Sequence, residues 1–102
     1  MFSIQVFLPL RSNAGVPFPR ASFDQVSTTL TERFGGLTAY LRAPANGAWQ
    51  DDEGHVKKDD LVVYEVLTDD LDRDWWSDYR KSLEELFRQE EIVIRAQKVW
   101  KL

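Results

Sequence analysis

The pattern of hydrophobic and polar residues indicates four β-strands, and in the first two it alternates with the period of a strand. The first segment, residues 2–10, is FSIQVFLPL, and the second, residues 37–43, is LTAYLRA. The third, LVVYEVL at residues 61–67, is almost continuously apolar, which is typical of a central strand covered on both sides. The fourth, residues 91–100, is rich in β-branched residues. The pattern therefore predicts four strands.

Two segments between these strands have the spacing of an amphipathic helix. The first is predicted to begin at Ser22, because Ser22 and Gln25 fit a capping box, and to end at Gly35 and Gly36. Its apolar face comprises Phe23, Val26, Leu30 and Phe34. The second covers about residues 71–88, and its acidic start suits the helix dipole. Its apolar stripe comprises Trp76, Tyr79, Leu83, Leu86 and Phe87.

The predicted order of elements is β-α-β-β-α-β, which is typical of the ferredoxin-like α+β sandwich. Right-handed crossovers give one antiparallel sheet with both helices on one face, the first and third strands central and the other two at the edges. The 102 residues suit a single domain over residues 1–102. A loop of about ten residues after the first strand, RSNAGVPFPRAS, is longer than usual, and we expect a lid or a mobile segment.

Composition and charge exclude several classes of protein. A hydrophobic fraction of 43% suits a folded domain rather than a disordered chain or a membrane protein. The net charge of −4 argues against a nucleic-acid binder, and no run approaches the ~20 apolar residues that cross a bilayer. There is no Cys, so disulfides, thiolate metal sites and a cysteine nucleophile are excluded. We expect a soluble, cytoplasmic protein that needs no cofactor.

Both predicted helices cover one side of the sheet, so the other side must meet water or a partner. The polar residues expected on that side are Gln5, Tyr40, Arg42, Glu65 and Arg95. A sheet face that is half apolar is expected to pair with a second copy of the chain. Two such sheets packed face to face form a dimeric α/β barrel. We predict a homodimer in which these five residues line the cavity.

Glu65 and His55 are the candidates for a catalytic acid or base. Glu65 interrupts the most apolar strand, where a buried carboxylate needs a partner, and Arg42 or Arg95 is the predicted partner across the sheet. Glu65 is then either half of a structural ion pair at the dimer interface or an acid, base or ligand anchor in the cavity. His55 follows a DDEG turn, where a solvated hairpin histidine is a simpler interpretation than a general base.

The segment GAWQDDEGHVKKDD, residues 47–60, is chiefly a predicted hairpin. Calcium and magnesium prefer oxygen ligands, so the carboxylates of this segment are candidates to bind them. They are Asp51, Asp52, Glu53, Asp59 and Asp60. Their spacing lacks the EF-hand pattern, and a charged turn that keeps an edge hairpin soluble is the simpler interpretation. We therefore predict no metal site.

The tryptophans are candidates for a partner surface. Trp75 and Trp76 lie about 100° apart on a helix, so they cannot both face the core equally. Trp76 belongs to the apolar stripe, whereas Trp75 lies at its edge. Packing at the rim is the simpler interpretation for Trp75, Trp49 and Trp100. The alternatives are that they cover a partner or the mouth of a pocket, or form an aromatic cage for a ligand.

Three motifs resemble an uncharacterised family of small bacterial ferredoxin-like domains: FGGLTAY, GAWQDDEG and YRKSLEELFRQEEIVI. The family pattern is G-L-T, then G-x-W-x-D-x-x-G, then F-x-Q-E. Its matched positions include Gly47, Trp49, Asp51, Gly54, Gln89 and Glu90. The resemblance covers about residues 34–95 and implies the fold and the dimer, but no activity. The broader fold resembles dimeric α/β-barrel proteins, among them cofactor-independent monooxygenases and haem-degrading enzymes.

Three functions follow as hypotheses. The first is a homodimeric small-molecule-binding or interaction module whose cavity holds a small apolar or aromatic molecule. The second is a cofactor-independent dimeric-barrel enzyme, monooxygenase-like or isomerase-like, with Glu65 or His55 as base and Tyr40 or Arg42 stabilising an anion. The third is a partner protein without a pocket, which binds through Trp75, through Trp100 or through an edge strand.

Overall fold

The computed structural model describes residues 1–42 and 61–102, with Arg42 described by its backbone alone. The elements in these ranges are β1 (Phe2–Pro9), α1 (Arg20–Phe34), β2 (Thr38–Arg42), β3 (Leu61–Thr68), α2 (Arg73–Leu86) and β4 (Ile94–Lys98). The strands form one antiparallel sheet in the order β2-β3-β1-β4. The predicted ferredoxin-like α+β fold is confirmed, with β1 and β3 at the centre of the sheet.

The core lies between the two helices and one face of the sheet. Because successive side chains of a strand point to opposite faces, alternate residues of β1 and β3 enter it. The sheet contributes Ile4, Val6, Leu8, Val62, Tyr64 and Val66, and the helices contribute Val26, Leu30, Trp76 and Leu83. Each fully buried side chain of this size stabilises the fold by about 1.5–3 kcal/mol relative to exposure.

Helix α1 begins at Arg20 rather than at Ser22, and the predicted capping box does not form. The N-cap residue is Pro19, which has an extended backbone and makes no side-chain hydrogen bond to the helix. The Ser22 N–H donates to the Pro19 carbonyl at 3.0 Å, so Ser22 lies inside the first turn. Pro19 therefore takes the N-cap position, with a φ of −60° and an extended ψ of 144°, and the helix begins at the next residue. The other end is as predicted, since Gly35 has a left-handed φ of 78°.

Helix α2 has the acidic start that the sequence predicted. The Asp72 side chain caps the helix by accepting from the Trp75 N–H at 3.0 Å, and Asp74 adds negative charge to the first turn. The predicted stripe faces the core, with Leu83 and Phe87 fully buried. Within the described ranges, neither helix is long and apolar enough to cross a membrane.

The segment between β1 and α1 forms a compact turn, and the lid or mobile segment expected there stays a prediction. The Ser12 N–H donates to the Val16 carbonyl at 2.7 Å, and Gly15 takes the left-handed φ of 81° that this turn requires. Phe18 then enters the core, where its ring meets Phe87 edge to face at a centroid distance of 5.1 Å. These hydrogen bonds and this anchor fix the path of the segment.

Candidate functional site

Alternate strand residues lie on the side of the sheet opposite to the helices, and this side is called the open face. The strand register places Gln5 of β1 opposite Glu65 of β3 and also opposite Arg95 of β4. Tyr40 of β2 lies opposite Val63 of β3, and Val63 in turn lies opposite Phe7 of β1. Opposed residues on adjacent strands share a face of the sheet. The residues of the open face that matter here are Ser3, Gln5, Phe7, Tyr40, Val63, Glu65, Leu67 and Arg95.

Gln5 is the centre of a hydrogen-bonded network on the open face. Its side-chain amide nitrogen donates to the Tyr40 hydroxyl at 3.2 Å and to Glu65 Oε2 at 3.0 Å. Its side-chain oxygen accepts from Arg95 Nη2 at 3.4 Å. One amide thus joins three side chains from three other strands. These four residues, Gln5, Tyr40, Glu65 and Arg95, are called the Gln5 cluster.

The predicted direct ion pair between Glu65 and Arg95 is wrong, because Gln5 lies between them. Glu65 is on β3 and Arg95 on β4, with β1 between these strands. Two strand spacings separate their backbones by about 9–10 Å. Gln5 bridges this gap with a donor on one side and an acceptor on the other. The alternative partner, Arg42, ends β2, and its side chain lies outside the described residues.

The Arg95 side chain is also held by an aromatic ring. Its guanidinium carbon lies 4.5 Å from the centroid of the Phe7 ring, within the range of a cation–π interaction. Arg95 and Tyr40 are exposed, whereas Gln5, Phe7 and Glu65 are half-buried. The Arg95 and Tyr40 ends of the cluster therefore remain accessible, while Glu65 and the Gln5 side chain that joins them are partly sheltered.

The apolar part of the open face lies beside the cluster. Val63 is fully buried, and Leu67 is 46% exposed. Ser3 is buried, and its hydroxyl has no hydrogen-bond partner among the described residues. The open face thus combines apolar surface with a fixed set of donors and acceptors, which is the composition of many small-molecule sites.

Four of the five predicted cavity residues therefore meet in one cluster, and Arg42 is the fifth. The other catalytic candidate, His55, lies outside the described residues, as do Trp49 and the predicted hairpin with its carboxylates. Across residues 1–42 and 61–102, no group of three or more metal-ligating side chains converges on one point.

Trp75 packs where the two helices meet. Its ring stacks on Tyr79 at a centroid distance of 4.9 Å and meets Trp76 edge to face at 4.8 Å. The guanidinium carbon of Arg33, on α1, lies 4.2 Å from the centroid of the Trp75 ring. These contacts support the rim-packing interpretation of Trp75. Trp100 is 78% exposed and remains a candidate for a partner surface.

Tyr79 has a hydroxyl group that is buried beneath the helices. Burial raises the pKa of Tyr79 to about 12, the Thr29 side chain lowers this pKa by less, and Tyr64 raises it slightly. The contact with Thr29 is weak, since the Tyr79 hydroxyl has no hydrogen bond of ordinary geometry to any described residue. Tyr79 is thus a core residue that stays protonated at neutral pH.

A second concave surface, which the sequence did not indicate, lies on the helix side of the sheet between α2 and β4. The signal was present in the helix, because Arg73, Trp76, Ser77 and Arg80 have the spacing of one helical stripe. Which strand Arg73 and Arg80 would face depends on how α2 lies across the sheet.

No known protein-family model matches this chain, and no curated protein has significant sequence similarity to it. Solved structures share its fold. A phage SAM lyase in complex with S-methyl-5'-thioadenosine aligns with a TM-score of 0.57 and 16% identity, covering 95% of this chain and 80% of the lyase. A mutant of CutA1 from Pyrococcus horikoshii OT3 aligns with a TM-score of 0.56 and 15% identity, covering 100% of this chain and 86% of CutA1.

CutA1 from Pyrococcus horikoshii, in a further structure, aligns with a TM-score of 0.51 and 20% identity over 100% of this chain and 86% of that one. These similarities show that the chain is a small ferredoxin-like domain of a known type. At such low identities they concern the fold alone. The resemblance to a family of small bacterial ferredoxin-like domains stays a prediction.

Proposed function

We propose that this protein is a homodimeric small-molecule-binding module, with its binding site between two open faces. The observation that supports this proposal is the Gln5 cluster. A guanidinium, a carboxylate and a phenol are held around one amide on a sheet face that neither described helix covers. Polar groups fixed in this way on a partly apolar surface give a ligand its orientation without a large cost of ordering.

A second copy of the chain is the proposed cover of the open face. The apolar residues Phe7 and Leu67 keep exposed surface beside the cluster, and its burial would stabilise the association of two sheets. Sheets that pack face to face are about 10 Å apart, with the side chains of their inner faces interdigitated between them, so a bound molecule would take the place of some of these side-chain contacts. A twofold axis would bring two Gln5 clusters into the same cavity.

The cluster favours a ligand that has both an aromatic or apolar body and polar groups of both kinds. Arg95 donates hydrogen bonds, Glu65 accepts them, and the Phe7 and Tyr40 rings offer surfaces for stacking. A wholly apolar ligand would remove water from Glu65 and Arg95 without replacing it, which is costly. S-methyl-5'-thioadenosine, the ligand named for the phage SAM lyase, has an aromatic base and hydroxyl groups, so it is a suitable first probe.

The alternative function is a cofactor-independent dimeric-barrel enzyme, which needs a base that reaches its substrate. Glu65 already accepts a hydrogen bond from Gln5, so one of its oxygens is engaged within the cluster. His55 lies outside the described residues. Binding therefore has the better support, and catalysis stays a prediction.

The proposal is tested by light scattering, followed by native mass spectrometry on the same sample with S-methyl-5'-thioadenosine as the added probe. We expect a dimer that gains the mass of a co-purified molecule or of the probe. The variant Gln5→Ala removes the centre of the cluster and should weaken binding by about tenfold, the loss expected for hydrogen bonds to charged groups.

The matched control is Gln97→Ala, which removes an exposed glutamine from β4 where it pairs with Ser3 on the same side of the sheet. This variant should bind as the parent does. Any assembly other than a dimer would contradict the twofold pairing. Equal binding by the Gln5→Ala and Gln97→Ala variants would contradict the assignment of the site.

A further inference from the structure

A cleft of about 440 Å³ lies on the helix side of the sheet, between α2 and the strands β1 and β4. Its floor is apolar and includes Phe2 and Ile4 of β1 together with Ile94 of β4. Trp76 adds an indole ring from the helix. A volume of this size lies within the range of small-molecule pockets.

The walls of the cleft come from two elements that meet at an angle. One stripe along α2 lines the cleft, and it consists of Arg73, Trp76, Ser77 and Arg80. Across from them, Lys98 stands at the end of β4, opposite Phe2 in the strand register. Three cationic side chains thus surround an apolar floor.

These three cations are not in ion pairs within the described part of the chain. Arg73, Arg80 and Lys98 are exposed, and none forms an ion pair or a side-chain hydrogen bond with a described residue. The carboxylates Asp74 and Asp78 lie on the same helix but do not line the cleft. The whole protein is acidic, with a net charge of −4, so a group of unpaired cations around one cleft is unusual for this chain.

We propose that this cleft binds an organic anion with an apolar body, such as a medium-chain or aromatic carboxylate. The apolar floor takes the body of the molecule, and the cations of the walls take the carboxylate. Arginine suits this task because its planar guanidinium binds a carboxylate through paired hydrogen bonds. The site lies on the opposite side of the sheet from the Gln5 cluster and does not depend on that proposal.

The simplest other account is that the arginine and lysine stems only cover apolar surface while their charges stay in water. The two accounts differ in their ligand preference. A cleft that recognises an anion distinguishes ligands by head group, whereas an apolar surface distinguishes them by chain length alone. Salt should weaken the binding of an anion, because it screens exposed charges.

Isothermal titration calorimetry with decanoate tests the proposal, with decanol and decyltrimethylammonium as matched ligands of other charge. We expect saturable binding of one decanoate per chain and at least about tenfold weaker binding of both matched ligands. The Arg80→Gln variant should lose about tenfold in decanoate affinity for the same reason. Its control, Lys81→Gln, removes the next cation along α2, which does not line the cleft, and should bind as the parent does.

A second measurement locates the ligand, so that a folding defect cannot imitate the result. In ¹⁵N-resolved NMR spectra, decanoate should shift the amide signals of Ile94 and Ala96, which line the cleft, more than that of Glu65 on the open face. Equal affinity for decanoate and decanol would overturn the proposal. So would equal losses in the Arg80→Gln and Lys81→Gln variants, shifts confined to the open face, or the absence of saturable binding.

Discussion

The Gln5 cluster and the cationic cleft lie on opposite sides of one sheet, and their charges are satisfied in different ways. In the cluster, a carboxylate and a guanidinium are each hydrogen-bonded to the amide between them. In the cleft, Arg73, Arg80 and Lys98 have no such partner among the described residues. A satisfied network fixes the position of its groups, whereas unpaired cations create a local positive potential. The first arrangement suits recognition of shape and hydrogen bonding, and the second suits recognition of charge.

Strand β1 contributes to both regions because its residues alternate between the two sides of the sheet. Phe2 and Ile4 form part of the floor of the cleft, while Gln5 and Phe7 belong to the open face. A shift of one residue in the register of β1 would exchange these sets, so the strong burial of its helix-side residues also secures the open face.

The largest expected contrast between the two sides concerns packing. Leu8→Ala removes a fully buried side chain on the helix side and should lower the free energy of unfolding by about 2–5 kcal/mol. Leu67→Ala removes the same atoms from the open face, where the side chain is 46% exposed, and should cost under about 1 kcal/mol in the monomer.

Urea unfolding at two protein concentrations separates these effects. The loss caused by Leu8→Ala should not depend on concentration, whereas that of Leu67→Ala should grow if a second copy covers the open face. Equal losses for the two variants would contradict the distinction between a packed side and an open side.

A smaller effect concerns the buried hydroxyl of Tyr79 on the helix side. In the unfolded chain this tyrosine ionises near its ordinary pKa of 10.0, whereas the folded protein keeps the proton up to about 12. Stability that is fully present below pH 10 should therefore be lost as the pH rises from 10 towards 12. The midpoint of urea unfolding, measured in steps across this range, should fall less steeply for Tyr79→Phe than for the parent.

The control for this measurement is Tyr40→Phe on the open face, since the Tyr40 side chain is 41% exposed and outside the core. Its midpoint should fall with pH as steeply as that of the parent. The same slope in Tyr79→Phe and the parent would show that the buried hydroxyl does not titrate as described.

The smallest expected effects distinguish two polar residues of the same strand. Gln5→Ala removes three hydrogen bonds and leaves the half-buried Glu65 without this donor, which should cost about 1–3 kcal/mol of stability. Ser3→Ala removes a buried hydroxyl that has no partner among the described residues, so stability should stay unchanged or rise by up to about 1 kcal/mol. A clear loss of stability in Ser3→Ala, measured by urea unfolding, would indicate that the hydroxyl has a partner after all.

The cluster could be predicted from the sequence because it depends on local alternation and on the fold class. Alternation assigns Gln5, Tyr40, Glu65 and Arg95 to one face, and the strand order brings their strands together. The exact connection could not be predicted, since it depends on which strand lies between Glu65 and Arg95 and on the length of each side chain. The prediction of an ion pair between Glu65 and Arg95 did not take into account that β1 lies between their strands.

Other errors have a similar cause. The start of α1 depended on a choice between a capping serine and the backbone of Pro19, and both have physical support. The course of the segment before α1 could not be predicted either. It depends on the contact of Phe18 with Phe87, two residues that are far apart in the chain. The cleft depends on the position of α2 over β4, which helical periodicity alone does not determine.

The perpendicular pair of Trp75 and Trp76 makes the folded protein its own optical reporter. The ring centroids lie 4.8 Å apart, and we expect the buried Trp76 to emit at shorter wavelengths than the exposed Trp100. Because Trp76 also lines the cleft, a molecule that enters there changes the brightness of the pair. Occupancy of the cleft can thus be followed by fluorescence without any added label.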